Sequence, residues 1–121
     1  MQPGYGWMGT ILRANLSKGE IVRELLTEDL AYNFVGGRGI NSKILYDETG
    51  PQTEPFSPDN RVIVGTGPMS GTLGPSAGRF TVTAKSPLTG IFGDANGGGF
   101  FPAELKFAGY DHIVVQGRAE K

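Results

Sequence analysis

Groups able to hold an anion are concentrated in three short motifs of this sequence. Asn96-Gly97-Gly98-Gly99 comes just before an expected helix at Phe101. A helix N-terminus offers unpaired N–H donors and the positive end of a dipole, and glycine admits close backbone approach. A cradle for a phosphate-bearing cofactor fits, with Asn96 supplying a carbonyl or amide ligand. A tight strand-to-helix turn with no ligand fits too, and the pattern alone favours it. Arg79 follows Gly78 and begins an alternating strand. Its five-donor fork suits a phosphate or a planar heterocycle. Lys85 lies on the same expected face, three alternations on. An anion-facing sheet surface and an ordinary solvated strand face explain that pattern equally well. Gly36-Gly37-Arg38-Gly39 separates two expected helices. It either presents Arg38 to an anion at the second helix's N-terminus or is a hinge with a surface arginine, and the local pattern favours the hinge. It is not a dinucleotide fingerprint, because no strand precedes it and the glycine spacing is wrong.

Other reactive side chains carry bland readings. His112 is the sole histidine and the chain has no cysteine. Thiolate ligands for zinc or an iron–sulfur cluster are therefore absent from the sequence, and a lone histidine is expected to be structural. Glu104 and Lys106 are expected on a solvated helix face. Glu28-Asp29 and Asp47-Glu48 read as helix-end charge patterns. Tyr5 and Trp7 are expected to anchor the N-terminal segment or to pack against another domain or subunit. No Ser-His-Asp or Cys-His arrangement has credible members. No catalytic residue is assigned.

The elements that must position these groups follow from pattern. Thr10–Leu16 and Glu20–Leu25 read as a hairpin around Ser17-Lys18-Gly19. Thr27 is the expected N-cap of a helix reaching about Val35 and ending at Gly36-Gly37, followed by a second helix from Ile40 to Glu48. The proline-rich stretch Gly50–Asn60 reads as a loop and Arg61–Thr66 as a buried strand. A glycine-rich turn leads to Arg79–Lys85, which alternates Phe80, Val82 and Ala84 against Arg79, Thr81, Thr83 and Lys85. Ile91–Asn96 is an expected strand, Phe101–Ala108 a short helix and Asp111–Gln116 the closing strand. This order implies one α+β domain over residues 1–121, with packed, mainly antiparallel or mixed sheets and a few short helices.

Composition narrows the function classes. The chain has 121 residues, including 20 glycines, and a net charge of −1. So even a balance offers no strong basic field for nucleic acid. The opening MQPGYGWMGTILRANL lacks a basic segment followed by a long apolar run, so no secretory leader is expected. No window is long and apolar enough for a membrane span. A cytoplasmic location is the expectation.

From Gly9 to Lys121 the sequence resembles the N-terminal domain of the aldehyde:ferredoxin oxidoreductases. The resemblance is carried by the hairpin at Gly9–Gly19, GGRG at Gly36–Gly39, PFSPDN at Pro55–Asn60, GPMSGT, GRFTVTAKSPLTG, ANGGGFF and AELKFAGYD, in order. It implies a base of packed sheets carrying a tungsten or molybdenum bis-pterin. It also implies that Arg79 contacts the pterin, and that Asn96 binds cofactor and helps hold a magnesium between pterin phosphates, with Gly98 a backbone contact. Gly97, Arg38 and Lys85 join the expected cofactor-binding set. Magnesium on carbonyl and phosphate oxygens suits a hard cation. The family reaction takes an aldehyde to a carboxylic acid and sends electrons through a [4Fe–4S] cluster to ferredoxin or a similar acceptor. Because the cluster ligands lie elsewhere in the family, this chain is expected to be an incomplete domain. Its expected partners are the remaining domains or a complementary subunit, and a homo-oligomer is also compatible. A non-catalytic binding or assembly module is the rival expectation.

Overall fold

The hairpin that opens the fold forms where two runs, each with a β-branched pair (Thr10-Ile11 and Ile21-Val22), flank a Ser-Lys-Gly turn. In the computed structural model, which describes residues 3–120, β1 (Thr10–Asn15) pairs antiparallel with β2 (Glu20–Leu25). Helices α1 (Glu28–Phe34) and α2 (Gly37–Glu48) follow. Then come β3 (Arg61–Gly65), β4 (Arg79–Lys85), β5 (Phe92–Gly98), α3 (Phe101–Phe107) and β6 (His112–Gln116). The strands make one six-stranded sheet in the order β2-β1-β6-β3-β4-β5. β1 and β6 are parallel and every other neighbouring pair is antiparallel. The expected α+β class with a mixed, mainly antiparallel sheet holds, and its strands share a single sheet.

Thr27 caps α1 as its sequence implies: its hydroxyl accepts from the Leu30 N–H at 3.2 Å. The helix stops at Val35, whose φ of 65° and ψ of −63° close a γ-turn in which the Gly36 N–H donates to the Phe34 carbonyl. That conformation is strained for a β-branched residue. The Trp7 ring N–H donates to the Val35 carbonyl at 2.7 Å and braces the turn. Gly36 passes so close to the Thr66 carbonyl that a β-carbon there would lie 2.9 Å from it.

Two boundaries near the candidate groups differ from the sequence expectation. Helix α2 starts at Gly37, not Ile40, so Gly37 and Arg38 belong to its first turn rather than to a hinge. The Gly37 N–H donates to the Thr66 carbonyl, a long-range bond that offsets glycine's poor helix propensity. Strand β5 continues to Gly98, so Asn96-Gly97-Gly98 is paired backbone and not a turn. Only Gly99 and Phe100 separate β5 from α3.

The core lies on one face of the sheet. Ile11, Ile63 and Val114 are fully buried there against Leu26, Ala31, Ile40, Ile44 and Leu45, with Trp7, Leu30 and Phe34 at the margin. The register puts Leu12, Ala14, Ile113, Val115, Val62, Val64, Val82 and Ala84 on the opposite face. None of these eight is buried. Helix α3 covers only a corner of that face, where Phe101 meets Phe80 edge-on at 5.1 Å.

Candidate functional site

Helix α2 lies along β4 with its N-terminus toward the Arg79 end. A β-carbon on Gly37 would lie 3.7 Å from the Thr81 hydroxyl. The first turn of α2 has no side-chain cap. Arg38 reaches across to the edge strand and donates to Asp94 at 2.6 Å. One register step along, the Thr81 hydroxyl donates to Asn96 Oδ1 at 3.2 Å. Arg79 opposes Gly98 in the ladder. It is exposed and has no hydrogen-bond or ion-pair partner among the described residues. A β-carbon on Gly98 would sit 3.7 Å from the Arg79 guanidinium, so the bare glycine leaves the space beside that fork open. Because β5 is the sheet edge, alternate main-chain groups from Asn96 to Gly98 lack a ladder partner. One corner thus gathers an unpaired guanidinium, an uncapped helix N-terminus, an amide side chain and free edge backbone. Together these suit an anion, with main-chain oxygen to spare for a hard cation.

Beneath this corner lies a residue that sequence reasoning missed. Asn41, fully buried on α2, donates through Nδ2 to the carbonyls of Ile63 and Thr81 and to the Thr83 hydroxyl, at 3.1–3.2 Å. Two of those partners only accept, so the amide orientation is fixed and Oδ1 must accept from His112 Nδ1 at 2.9 Å. His112 is therefore the Nδ1–H tautomer, and its buried Nε2 has no partner. Burial lowers its pKa to about 4, against the pull of the Asp111 carboxylate and with the help of the Lys106 ammonium. The signal for Asn41 was present in the sequence: a polar residue between Ile40 and Ile44 on the apolar side of a helix.

The remaining candidates lie elsewhere or do other things. Lys85 is at the far end of β4, six residues or roughly 20 Å from Arg79. Its ammonium donates to the Gly50 and Pro51 carbonyls at 3.0 and 3.1 Å. Gly97 points to the opposite face, where a β-carbon would approach the Phe80 ring to 2.7 Å, so its lack of a side chain serves packing. Lys106, expected on a solvated face, is buried, and its ammonium donates to Asp111 and to the Gly6 carbonyl, each at 2.6 Å. Asp111 also accepts from the N–H groups of Met8, Gly9 and Thr10, so the pair clamps the N-terminal segment. Glu48 is likewise more than helix-end charge. It takes a two-pronged bond from Arg13 and a weaker one from Arg61, fastening the end of α2 to the sheet. Burial works against the Arg13 charge, but the bonds to Glu48 and Glu24 outweigh it and raise its pKa above the ordinary arginine value. Trp7 is an anchor, edge-on to Tyr32 at 5.6 Å, while Tyr5 is exposed.

A second concavity of about 1010 Å3 runs between α2 and the start of β5, lined by Phe34, Leu45, Tyr46, Ile91 and Phe92 among others. No cluster of three or more His, Cys, Asp or Glu side chains suited to a metal occurs among the described residues. No helix among them is long and apolar enough to cross a membrane.

Comparison with known proteins gives a consistent result. A family model described as aldehyde ferredoxin oxidoreductase, N-terminal domain, matches residues 11–121. The chain is 50% identical over 117 residues to a tungsten-containing aldehyde ferredoxin oxidoreductase of Pyrococcus furiosus, covering 97% of this chain and 19% of that protein. It is 32% identical over 120 residues to the aliphatic sulfonate oxidoreductase, WOR-like subunit, of the same organism, with 96% and 19% covered. Among solved structures, the active-site complex BamBC of benzoyl-coenzyme A reductase with 1,5-dienoyl-CoA contains a chain that matches with a TM-score of 0.94 at 38% identity. That match covers 97% of this chain and 18% of that one. The chain thus spans less than one fifth of the length of these relatives.

Proposed function

The chain belongs to the aldehyde ferredoxin oxidoreductase N-terminal domain family, and from that premise we propose that it is the cofactor-holding portion of a tungsten or molybdenum bis-pterin oxidoreductase. The observation that carries the reading is the corner at Arg79. An exposed, unpaired guanidinium stands beside a glycine whose missing β-carbon leaves the approach open. Arg79 would hold pterin or phosphate oxygens. Asn96 and the main chain at Gly98 would complete the contact, and an edge carbonyl near Asn96 would serve a magnesium ion. Arg38 adds positive charge at the uncapped end of α2, although Asp94 already engages it. The donor set present is the kind such an anionic group requires.

When bound, the cofactor supplies the redox chemistry of aldehyde oxidation to a carboxylic acid, with electrons passing to ferredoxin or a similar acceptor through an iron–sulfur cluster held by other polypeptide. This chain's residues bind and orient. His112 is buried and neutral, and Asp111 and Lys106 are bonded to each other, so these three are not placed to move a proton at the corner. The isolated chain is therefore expected to show no aldehyde oxidation.

The test is the metal and pterin content of the chain purified from cells that make tungsten or molybdenum pterin. Cofactor near one equivalent, lost in Arg79→Ala, supports the reading. A folded chain with no cofactor, alone or reconstituted with the rest of a family polypeptide, overturns it.

A second reading rests on a different observation, the uncovered apolar face of the sheet. Such a surface favours a module whose task is assembly with a larger subunit. Stable association with the complementary polypeptide, without any effect of Arg79→Ala on cofactor content, would favour it.

A further inference from the structure

The hydroxyl of Thr81 is held in a way that matters for Asn96. Thr81 is 7% exposed, clamped between the first turn of α2 and the sheet. Its main-chain oxygen accepts from the buried Asn41 amide, which is itself fixed by Ile63, Thr83 and His112. Its side-chain hydroxyl is directed at Asn96 Oδ1. A carboxamide oxygen is an acceptor only, so the threonine must donate. The planar amide is then oriented with Oδ1 inward. Its two Nδ2 hydrogens have no protein partner among the described residues, at an exposed position on the sheet edge.

We propose that Thr81 is a positioning residue that makes the Asn96 side chain a donor, presenting its N–H groups to an anionic ligand and leaving only main-chain oxygen at that position for a cation. This rests on the cofactor-binding reading above and assigns the roles within it. The chain from His112 through Asn41 and Thr81 to Asn96 explains why a fully buried asparagine sits in α2: it fixes the strand carbonyl from which the orienting hydroxyl is suspended. Arg38 steadies the same edge strand two residues earlier, at Asp94.

Three variants test this. Thr81→Val keeps the shape and removes the hydroxyl. Thr81→Ser keeps the hydroxyl. Asn96→Asp keeps the bond from Thr81 and replaces both N–H donors with an acceptor. The first readout needs no cofactor: nitrogen-15 relaxation of the Asn96 side-chain amide in the purified chain. That amide is expected to be ordered in the parent and in Thr81→Ser, and mobile in Thr81→Val with backbone shifts otherwise unchanged. An amide equally ordered in Thr81→Val overturns the proposal. The second readout is tungsten and pterin per chain after purification from cells fed tungstate. Occupancy is expected to fall about tenfold in Thr81→Val and at least as far in Asn96→Asp, while Thr81→Ser retains it. Retained occupancy in Asn96→Asp overturns the donor assignment, because a side-chain oxygen would then suffice. If the parent chain holds no cofactor, the binding reading fails on its own, and the relaxation data still decide whether Thr81 positions Asn96.

Discussion

The two faces of the sheet reverse the usual relation between polarity and burial on β4. Thr81 and Thr83 lie buried under α2, whereas Val82 and Ala84 on the other side are half-open. In the middle of β3 and β6 both faces are apolar: Ile63 and Val114 are buried, and their neighbours Val62, Val64, Ile113 and Val115 are not. Near-continuous apolar runs are the pattern of strands covered on both sides. The buried threonines are tolerated because Asn41 and Asn96 complete their hydroxyls' hydrogen bonds. Exposure in this chain therefore reports which layer the chain itself supplies.

The comparison breaks most sharply at Asn41. Replacing it with leucine leaves the Ile63 and Thr81 carbonyls and the His112 N–H without their partner in a dry site. The expected cost is about 3 kcal/mol in urea unfolding, and a cost under about 1 kcal/mol would mean that the polar layer is incidental. His112, in the same layer, makes this face sensitive to acid. Its pKa is about 4 in the fold and near 6.5 unfolded. The unfolded chain binds more protons between those values, so the contribution is complete above pH 6.5 and declines as pH falls toward 4. About 3 kcal/mol is at stake over that interval. Urea midpoints at pH 7 and pH 4.5 should differ less in His112→Asn than in the parent, and an equal difference would remove His112 from the account.

The open face predicts smaller effects. Gly97→Ala drives a methyl into the Phe80 ring. The ring can swing aside on this half-covered surface at the expense of its contact with Phe101, so about 1 kcal/mol is expected from thermal unfolding. Val62→Thr, on the same face at 44% exposure, should cost less than about 1 kcal/mol and should lower binding of an apolar dye. A loss of about 3 kcal/mol there would mean that this chain already covers the face by itself.

Much of this architecture was legible because it is local. The Thr27 cap, the hairpin and the alternation in β4 follow from residue types a few positions apart. The errors have a common cause in distant contacts. Gly37 and Arg38 became helix because Thr66 supplies a partner for the Gly37 N–H. Asn96 to Gly98 became strand because β4 offers a ladder to three residues of poor strand propensity. Lys106 was buried by a carboxylate five positions on, in the bend just before β6. Which side of β4 would be covered depended on where α2 lay, and alternation carries no such sign. The candidate site was legible in type: Arg38, Arg79, Asn96 and Gly98 come to one corner, although Lys85 does not. Its support was legible only in part: Asn41 stood out as a polar residue between Ile40 and Ile44, but its partners, and the part Thr81 plays, follow only once α2 is placed on the sheet.

The smallest expected effect on stability separates the faces most cleanly. Gly98 is the neighbour of Gly97 but points to the α2 side, beside Arg79. A β-carbon there meets only ordinary van der Waals contact at 3.7 Å. Nor does Gly98 have a left-handed φ that would strain alanine. Gly98→Ala should leave the unfolding temperature unchanged within about 0.5 kcal/mol of stability. It should nevertheless lower cofactor content, because the methyl occupies the approach to the Arg79 fork. A stability loss as large as that of Gly97→Ala would mean that both glycines serve packing. Unchanged stability with unchanged cofactor content would mean that the space beside Arg79 is not the approach. Only the combination of intact fold and lost cofactor gives the two adjacent glycines different tasks, one facing the open apolar side of the sheet and the other facing the ligand.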